Sequence, residues 1–396
     1  MCDNTKMRKK AIIAFLGAMF ALVPLLTLGA GKFQYAGWIP FWKQQAGAAD
    51  TAINLEKLQE ISPFSYEVLS NGTMKDDLKI NEGFWPGWLS AARDAKIKIL
   101  PTIAWFDGNA MHALLSSAKR RQAHEDAIAK LVKDQNFDGI DIDYESKLSA
   151  TKNYFSTFLQ GLAMRLHPKG KLLSCTIEAR TPLASLENSD KPQNKPSYAN
   201  DYAAINKYCD EVRIMAYDQG TIDLKLDATK GNGNLYAPVA DPDWVKKVLQ
   251  ETVKTISPKK IMLAIPTYGY EYQVSWVNGL TLYERLRSHT FFQAMNRAEA
   301  IGTMGERNSA GELSFWYVTS TLVADVSSAL TSEVSSVFPP ALANANTSSS
   351  VERLVSWSDA SSAAQKIALA KKMGLRGAVF FKLDGEQDPL IWDLMK

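Results

Sequence analysis

The sequence is poor in the residues that most often build metal and redox centres. Its 396 residues include three cysteines and four histidines, and no group of them has the spacing of zinc ligands. With Cys2 near the start set aside, two cysteines are too few for a disulfide framework. We therefore expect neither a metal site nor a cofactor. Two buried thiols at Cys175 and Cys209 are favoured over a bridge between them.

The chain also lacks an excess of charge of either sign. Lys and Arg number 45 against 42 Asp and Glu, the net charge is +3, and charged residues make up 22% of the chain. This balance gives no reason to expect nucleic-acid binding. An apolar fraction of 46% with 10% aromatics excludes a disordered or collagen-like chain. We expect a globular protein, and a monomer.

The small positive excess comes entirely from the first 30 residues. The basic segment Met7–Lys10 precedes residues 11–30, which carry no charge and are mostly apolar. This is the pattern of a secretory signal peptide, although an apolar run of about 20 residues can also anchor a chain in a membrane. We expect residues 1–30 to be a signal peptide or an uncleaved membrane anchor, with cleavage slightly favoured. Either way the rest lies outside the cytoplasm, secreted or held at the cell envelope.

Short apolar runs alternate with segments of helical periodicity. The predicted strands are Tyr35–Trp42, Ile61–Leu69, Ile97–Trp105, Gly139–Tyr144, Leu172–Ile177, Glu211–Tyr217, Ile261–Tyr268 and Gly377–Leu383. The predicted helices are Asn54–Gln59, Gly87–Ala95, Ala118–Lys133, Tyr154–Leu166, Tyr198–Lys207, Trp244–Thr255 and Ala363–Met373. Such alternation indicates parallel βα units. A count of eight favours an α/β fold of the (β/α)8 TIM-barrel type over residues 33–396.

One interval interrupts this alternation. Residues 271–352 lie between the seventh predicted strand and the last predicted helix, and include the strand-like run Leu313–Val318. We expect a small α+β insertion after strand 7, at the face of the barrel where active sites lie. Such an insertion would form one wall of a cleft, whereas the alternative is a disordered loop.

The fourth predicted strand carries three carboxylates in alternation. Residues Asp141, Asp143 and Glu145 share one face of it, and apolar side chains occupy the other. In a barrel the apolar face packs against helices, so the acids point inward. Repulsion among them raises at least one pKa, and they titrate as a coupled set. We expect Glu145, nearest the rim, to be protonated near neutral pH, as general acid catalysis requires.

These residues carry a resemblance to a known family. The run Asp138–Glu145 matches the DGxDxDxE signature of glycoside hydrolase family 18, the chitinase-like family. Tyr35–Trp42 resembles the first strand of the family, Met215–Asp218 its MxYD motif on strand 6, and Pro266–Gly269 the end of its strand 7. The resemblance covers residues 33–396 and is greatest to the bacterial envelope and spore-associated branch.

The resemblance implies a retaining glycosidase of the chitinase or N-acetylglucosaminidase type. It would cut β-linked N-acetylglucosamine polymers, chitin-like or peptidoglycan glycan, by substrate-assisted catalysis. Glu145 would be the general acid and base, Asp143 would orient the acetamido N–H, and Asp141 would share a proton with Asp143. Tyr217 would hydrogen-bond the acetamido carbonyl, with Asp218 beside it.

Aromatic residues near the strand ends complete the expected sugar site. Trp38, Trp105 and Tyr268 lie at such ends. Phe381 stands where the family usually has a tryptophan on strand 8, and a phenyl ring can still stack on a sugar face, with less area.

Two other interpretations use the same scaffold. A non-catalytic chitinase-like lectin would bind carbohydrate without cutting it, but such proteins typically lack the terminal acid, which is present here as Glu145. A metal-dependent enzyme would use Asp141, Asp143 and Glu145 as ligands of a hard cation, but no nearby histidine or phosphate loop supports it.

Overall fold

Strands and surrounding helices make up the described part of this computed structural model, residues 32–182, 198–277, 280–321 and 349–395. The predicted signal or anchor, residues 1–30, lies outside these ranges. The strands are β1 (Gln34–Pro40), β2 (Glu60–Val68), β3 (Met74–Asp76), β4 (Lys98–Ile99), β5 (Thr102–Trp105), β6 (Gly139–Tyr144), β7 (Leu172–Glu178), β8 (Glu211–Met215), β9 (Ile261–Pro266), β10 (Tyr268–Val277), β11 (Leu280–Thr290), β12 (Glu306–Arg307), β13 (Leu313–Thr321), β14 (Ser349–Trp357) and β15 (Gly377–Phe381). The α-helices are α1 (Gln44–Ala52), α2 (Trp85–Asp94), α3 (Gly108–Ser116), α4 (Ala118–Asp134), α5 (Lys152–Leu166), α6 (Tyr202–Tyr208), α7 (Leu224–Gly231), α8 (Pro242–Thr252), α9 (Phe291–Ile301) and α10 (Ala360–Lys372).

Parallel strands close into a barrel. The hydrogen-bonded order is β1, β2, β5, β6, β7, β8, β9 and β15, and β15 pairs back with β1. The short strand β4 also pairs with β2, so the third position of the barrel is broken at Leu100 and Pro101, where a proline cannot donate a ladder hydrogen bond. The predicted (β/α)8 barrel is therefore confirmed.

The first helix was predicted in the wrong place. Residues Leu55–Lys57 form only a 3-10 turn, and the helix that follows β1 is α1. Its buried positions are small residues, Gly47, Ala48 and Thr51, so it has no apolar periodicity to reveal it. A Cβ on Gly47 would lie 2.4 Å from the carbonyl oxygen of Leu383, which explains why a small residue is needed. None of the helices in the described ranges is both long and apolar enough to cross a membrane.

A second sheet is inserted between β9 and β15. It is antiparallel, with strand order β11, β10, β14, β13 and β12, and it runs from Tyr268 to Trp357, a wider span than the predicted 271–352. Helix α9 packs Ala294 and Ala298 on one of its faces. Tyrosines of β10 on the other face pack with Ala237 and Val239, in the segment between α7 and α8. The sheet thus stands beside the carboxyl end of the barrel.

A buried charged group ties this sheet to the barrel. Glu312, just before β13, accepts hydrogen bonds of 2.8 Å from the backbone N–H groups of Val239 and Ala240. The ammonium of Lys366 on α10 lies 3.6 Å from the same carboxylate. Both charged side chains are almost fully buried, and burial lowers the pKa of Lys366. Because a buried charge that loses its partner is costly, this group holds the second sheet in place.

Cys175 on β7 and Cys209 after α6 form a disulfide bond. The expectation of two free thiols is therefore wrong. Cys175 lies on the outward face of β7, between the barrel and its helices. Cys209 lies in the same layer, just before β8, and the two Cα atoms are 6.1 Å apart. That separation lies within the range that a disulfide can bridge.

Candidate active site

The inner face of β6 carries the acidic residues. Ile140, Ile142 and Tyr144 are buried in the apolar layer between the barrel and its helices. Strand alternation therefore turns Asp141 and Asp143 into the barrel, where both are buried. Glu145 follows β6 at the rim, and its backbone N–H donates to the carbonyl of Trp105 at 2.8 Å. The three carboxylates thus rise from the barrel interior towards its open end.

Asp141, the deepest of the three, is surrounded by donors. Four side chains donate hydrogen bonds to its carboxylate: Trp38 through Nε1 at 3.2 Å, Thr102 at 2.9 Å, Ser174 at 2.8 Å and Thr176 at 2.8 Å. The guanidinium of Arg213 lies 3.2 Å away. The hydrogen bonds that the Asp141 carboxylate accepts within the described ranges come from these side chains, and the sharing of a proton with Asp143 stays a prediction.

Arg213 is the centre of a charged cluster inside the barrel. Its side chain is fully buried and contacts Glu60, Glu211 at 2.8 Å and Ser62 at 2.8 Å, besides Asp141. Burial alone would lower the pKa of Arg213, but the surrounding carboxylates outweigh burial and raise it. The result is a permanent positive charge beneath the acidic strand face.

Asp143 lies between the deep and the rim carboxylates. Burial, then the charges of Glu145 and Asp141, raise the pKa of Asp143 well above its usual range. Its Oδ1 atom is buried, and within the described ranges it has no hydrogen-bond partner. An unpaired buried acceptor is costly, so this atom is suited to an N–H or O–H donor brought by a ligand in the cleft.

Glu145 is the acid nearest the solvent. Burial raises its pKa to about 7, with further increases from the charges of Glu178 and Asp218 and an opposing effect of Lys147. The sequence predicts that repulsion within the acidic strand raises this pKa, whereas burial and the charge of Glu178 on the neighbouring strand are the larger causes. Near neutral pH both the protonated and the ionised forms of Glu145 are populated, which suits a group that alternates between acid and base.

A cleft of about 540 Å³ opens above these acids, and Asp143 and Glu145 line it. Tyr217 stacks on Phe381, with ring centroids 5.8 Å apart, and Trp38 meets the same phenyl ring edge-on at 5.8 Å. Burial, with the charges of Asp143 and Asp218, raises the pKa of Tyr217, so its hydroxyl keeps the proton that it donates. These rings form an apolar floor beside a hydrogen-bond donor.

The second sheet supplies one wall of the cleft. Tyr268 and Tyr270 of β10 both donate to Oδ1 of Asp218, at 2.5 and 2.9 Å. Arg285 of β11 lies 3.6 Å from the other oxygen of that carboxylate and stacks on Tyr270 at 3.9 Å. Asp218 is therefore fixed as an oriented acceptor at the edge of the cleft, with Arg285 as its counter-ion.

Trp105 does not line the cleft, contrary to prediction. Thr102, three residues earlier, points inward to Asp141, so alternation turns Trp105 outward. There it is fully buried against Tyr144 and His124. Phe106, which directly follows β5, lines the cleft instead and is half exposed, as is Trp42.

Glu178 is a further carboxylate next to the acids that the motif does not predict. It ends β7, and its alternation with Ser174 and Thr176, which both contact Asp141, places it on the inner face. Glu178 lies outside the DGxDxDxE run and is not among the predicted site residues. Arg180, two residues further on, stacks on two tyrosines and donates to a backbone carbonyl. The polar and apolar alternation of β7 was the available signal.

Comparison with known proteins identifies the family. The family model for glycosyl hydrolases family 18 matches residues 38–386, and the chain belongs to this family. Membership supports a glycoside hydrolase that acts on glycans containing N-acetylglucosamine.

Individual relatives are more distant. The uncharacterized glycosylase YvbX of Bacillus subtilis (strain 168) is 28% identical over 169 residues, 43% of this chain and 44% of that protein. Chitinase 1 of Aphanocladium album is 25% identical over 226 residues, 50% of each chain. The chain therefore spans about half, or less, of the length of these curated relatives. The crystal structure of the spore cortex-lytic enzyme SleL of Bacillus megaterium QM B1551 is 22% identical with a TM-score of 0.65, and the match covers 92% of this chain and 73% of that one; this likeness shows the fold.

Proposed function

We propose that the protein is a retaining glycosidase that cuts β-linked N-acetylglucosamine polymers by substrate-assisted catalysis. The observation that carries this proposal is the pairing of Glu145 with Asp143 in the cleft. Glu145 has a pKa of about 7, and Asp143 beside it presents a buried oxygen without a partner. An acid and a free acceptor, side by side, match the glycosidic oxygen and the acetamido N–H of one sugar.

The first step breaks the glycosidic bond. Glu145 gives its proton to the leaving oxygen, and the acetamido carbonyl oxygen of the sugar attacks the anomeric carbon from the opposite face. Asp143 accepts the acetamido N–H and, in its ionised form, which the cation beside it favours, stabilises the positive charge of the resulting oxazolinium ring. The hydroxyl of Tyr217 donates to the attacking carbonyl oxygen. No carboxylate of the protein needs to act as nucleophile.

The second step restores the enzyme. Glu145, now ionised, takes a proton from water, and the resulting hydroxide attacks the anomeric carbon and opens the ring. Because two inversions occur at that carbon, the product keeps the β configuration. The same carboxyl group serves as acid and then as base, which explains the value of a pKa near 7.

The aromatic floor supports this assignment of substrate. Phe381 and Trp38 offer apolar ring surface on which the hydrophobic face of a pyranose can stack. We propose that the substrate is chitin-like or peptidoglycan glycan, and that the protein acts outside the cytoplasm. Similarity to a named chitinase supports a chitin-like glycan, and the resemblance of the motifs to the envelope and spore-associated branch supports peptidoglycan.

The test is digestion of chitin oligomers and purified peptidoglycan, with mass analysis of the products. We expect new reducing ends from chitin oligomers, from peptidoglycan or from both. The rate of hydrolysis should fall about 10²–10⁴-fold in Glu145→Gln. A matched control is Glu299→Gln, which removes an exposed carboxylate on α9 and should leave the rate unchanged. Absence of products from chitin oligomers, peptidoglycan and N-glycans alike would refute the proposal. Sugar binding without turnover would indicate a lectin, and activity that needs a divalent cation would indicate a metal enzyme.

A further inference from the structure

We propose that Glu178 and Lys147 are positioning residues that set the proton affinity of Glu145 through opposed charges. The inference deepens the function proposed above and rests on Glu145 being its acid. It concerns a carboxylate and an ammonium that lie outside the DGxDxDxE motif and do not line the cleft among the described residues.

The strand register places Glu178 next to Glu145. In the β6–β7 ladder Asp143 stands opposite Thr176, so two residues further along each strand bring Glu145 opposite Glu178. Neighbouring strands lie about 4.8 Å apart, and both residues have the inward parity of their strands. Two carboxylates are therefore held side by side at the rim of the barrel.

Lys147 forms an ion pair with Glu178. Its ammonium lies 3.2 Å from Oε2 of Glu178 and 5.1 Å from the ring centre of Phe155, and it also donates to the carbonyl of Tyr144. The side chain is only 1% exposed, so solvent screens its charge weakly. The lysine sits under the turn that immediately follows Glu145.

Glu178 also holds the turn itself. The backbone N–H of Ser146 donates to Glu178 at 3.1 Å, and the side chain of Asn200 donates to it at 2.7 Å. Ser146 has a positive φ of 54°, a conformation that non-glycine residues adopt at a cost. One carboxylate thus fixes the backbone next to the acid and adds a negative charge beside it.

These contacts make the charge states of the two glutamates differ. Burial would raise the pKa of Glu178, but Lys147 and the donors around its carboxylate outweigh burial and lower it. Glu178 is therefore already ionised at pH values at which Glu145 still holds its proton. The charged and titratable groups that face Glu145 are Asp143 on its own strand, Glu178 on β7, Asp218 and Tyr217 after β8, and Lys147. Lys147 is the cation of this set.

The experiment removes each charge separately. Glu178→Gln removes the negative charge and keeps one acceptor oxygen, which can serve Ser146 or Asn200 but not both, because these two donate to different oxygens of Glu178. Lys147→Met keeps an unbranched chain against Phe155. The pKa of Glu145 is read directly by ¹³C NMR of labelled glutamate side chains, with Glu145→Gln assigning the signal. The pH dependence of hydrolysis of chitin oligomers and peptidoglycan is measured in parallel. Lys152→Met is the matched control, since it removes a half-exposed lysine paired with Asp201.

We expect shifts of opposite sign. Loss of Glu178 should lower the pKa of Glu145 by about one unit and move the alkaline limb of the pH profile down. Loss of Lys147 should raise that pKa by a similar amount and move the limb up, and the double variant should lie between. Lys152→Met should leave the titration unchanged.

Two results would overturn the inference: an unchanged titration of Glu145 in both single variants, or shifts in the same direction. If Glu178 and Lys147 only hold the turn in place, the rate of hydrolysis should fall in both variants, but the pKa of Glu145 should not shift in opposite directions. If the parent protein releases no product, the proposed function fails, but the NMR titration still decides whether Glu178 and Lys147 act on Glu145.

Discussion

Arg213 offers a quantitative test of the charge cluster beneath the active site. Replacing it with methionine would leave the carboxylates of Asp141 and Glu211, both buried, without their shared cation. Breaking a buried ion pair by removing one partner costs about 3–5 kcal/mol. For a unit of this size, with an unfolding entropy of about 2.1 cal/mol/K per residue, this corresponds to a melting temperature lower by roughly 4–7 °C.

Glu60 in the same cluster should behave differently. Burial and the charge of Glu211 raise the pKa of Glu60 to about 8, so it is protonated in the native state at neutral pH but ionised in the unfolded chain. Between the ordinary glutamate pKa and about 8 the native state binds more protons, so this group lowers stability as the pH rises. Glu60→Gln keeps the oxygen that accepts from Arg213, so we expect little loss of stability and a weaker pH dependence.

The assay is thermal and urea unfolding, followed by circular dichroism, at several pH values across that range. Arg213→Lys is the intermediate case, since it keeps the charge but loses the branched geometry of the guanidinium. The reasoning would be refuted if Arg213→Met were as stable as the parent, or if Glu60→Gln were as damaging as Arg213→Met at neutral pH.

Two further predictions concern packing. Replacing Cys175 and Cys209 together with alanine opens a loop of 34 residues and should lower the free energy of unfolding by about 4 kcal/mol, measured by urea unfolding; no change would contradict a bridge that constrains the unfolded chain. Phe381→Ala removes the floor of the cleft and should lower kcat/KM by at least about tenfold, whereas Phe381→Trp should retain activity. An alanine variant with parental kinetics would show that the ring does not touch substrate.

Repeating patterns allowed the barrel and its acidic strand to be predicted. Residues 139–144 were assigned as a strand with its observed limits, because alternation of isoleucine and acid fixes both the element and its faces. The same rule, applied to β5, would have turned Trp105 away from the cleft. Trp105 was expected in the cleft because it lies near a strand end, but the face of the strand on which it lies decides where its side chain goes.

Other features depend on contacts between distant segments. Helix α1 buries glycine and alanine, which give no apolar stripe. Nothing in the local sequence around Arg213 shows that Glu60, far away in the chain, comes to lie against it. The bridge between Cys175 and Cys209 likewise depends on how two βα units pack, which spacing does not specify.

The link between Glu312 and Lys366 has a consequence for how a glycan is admitted. Since the second sheet is fixed to the segment between α7 and α8 and to α10, the wall that carries Tyr268 and Tyr270 is in place before any sugar arrives. Most of the conformational entropy that is lost on binding is then lost by the glycan. A stiff polymer chain, which has little internal freedom to lose, should gain more from this preformed wall than a short and mobile oligosaccharide.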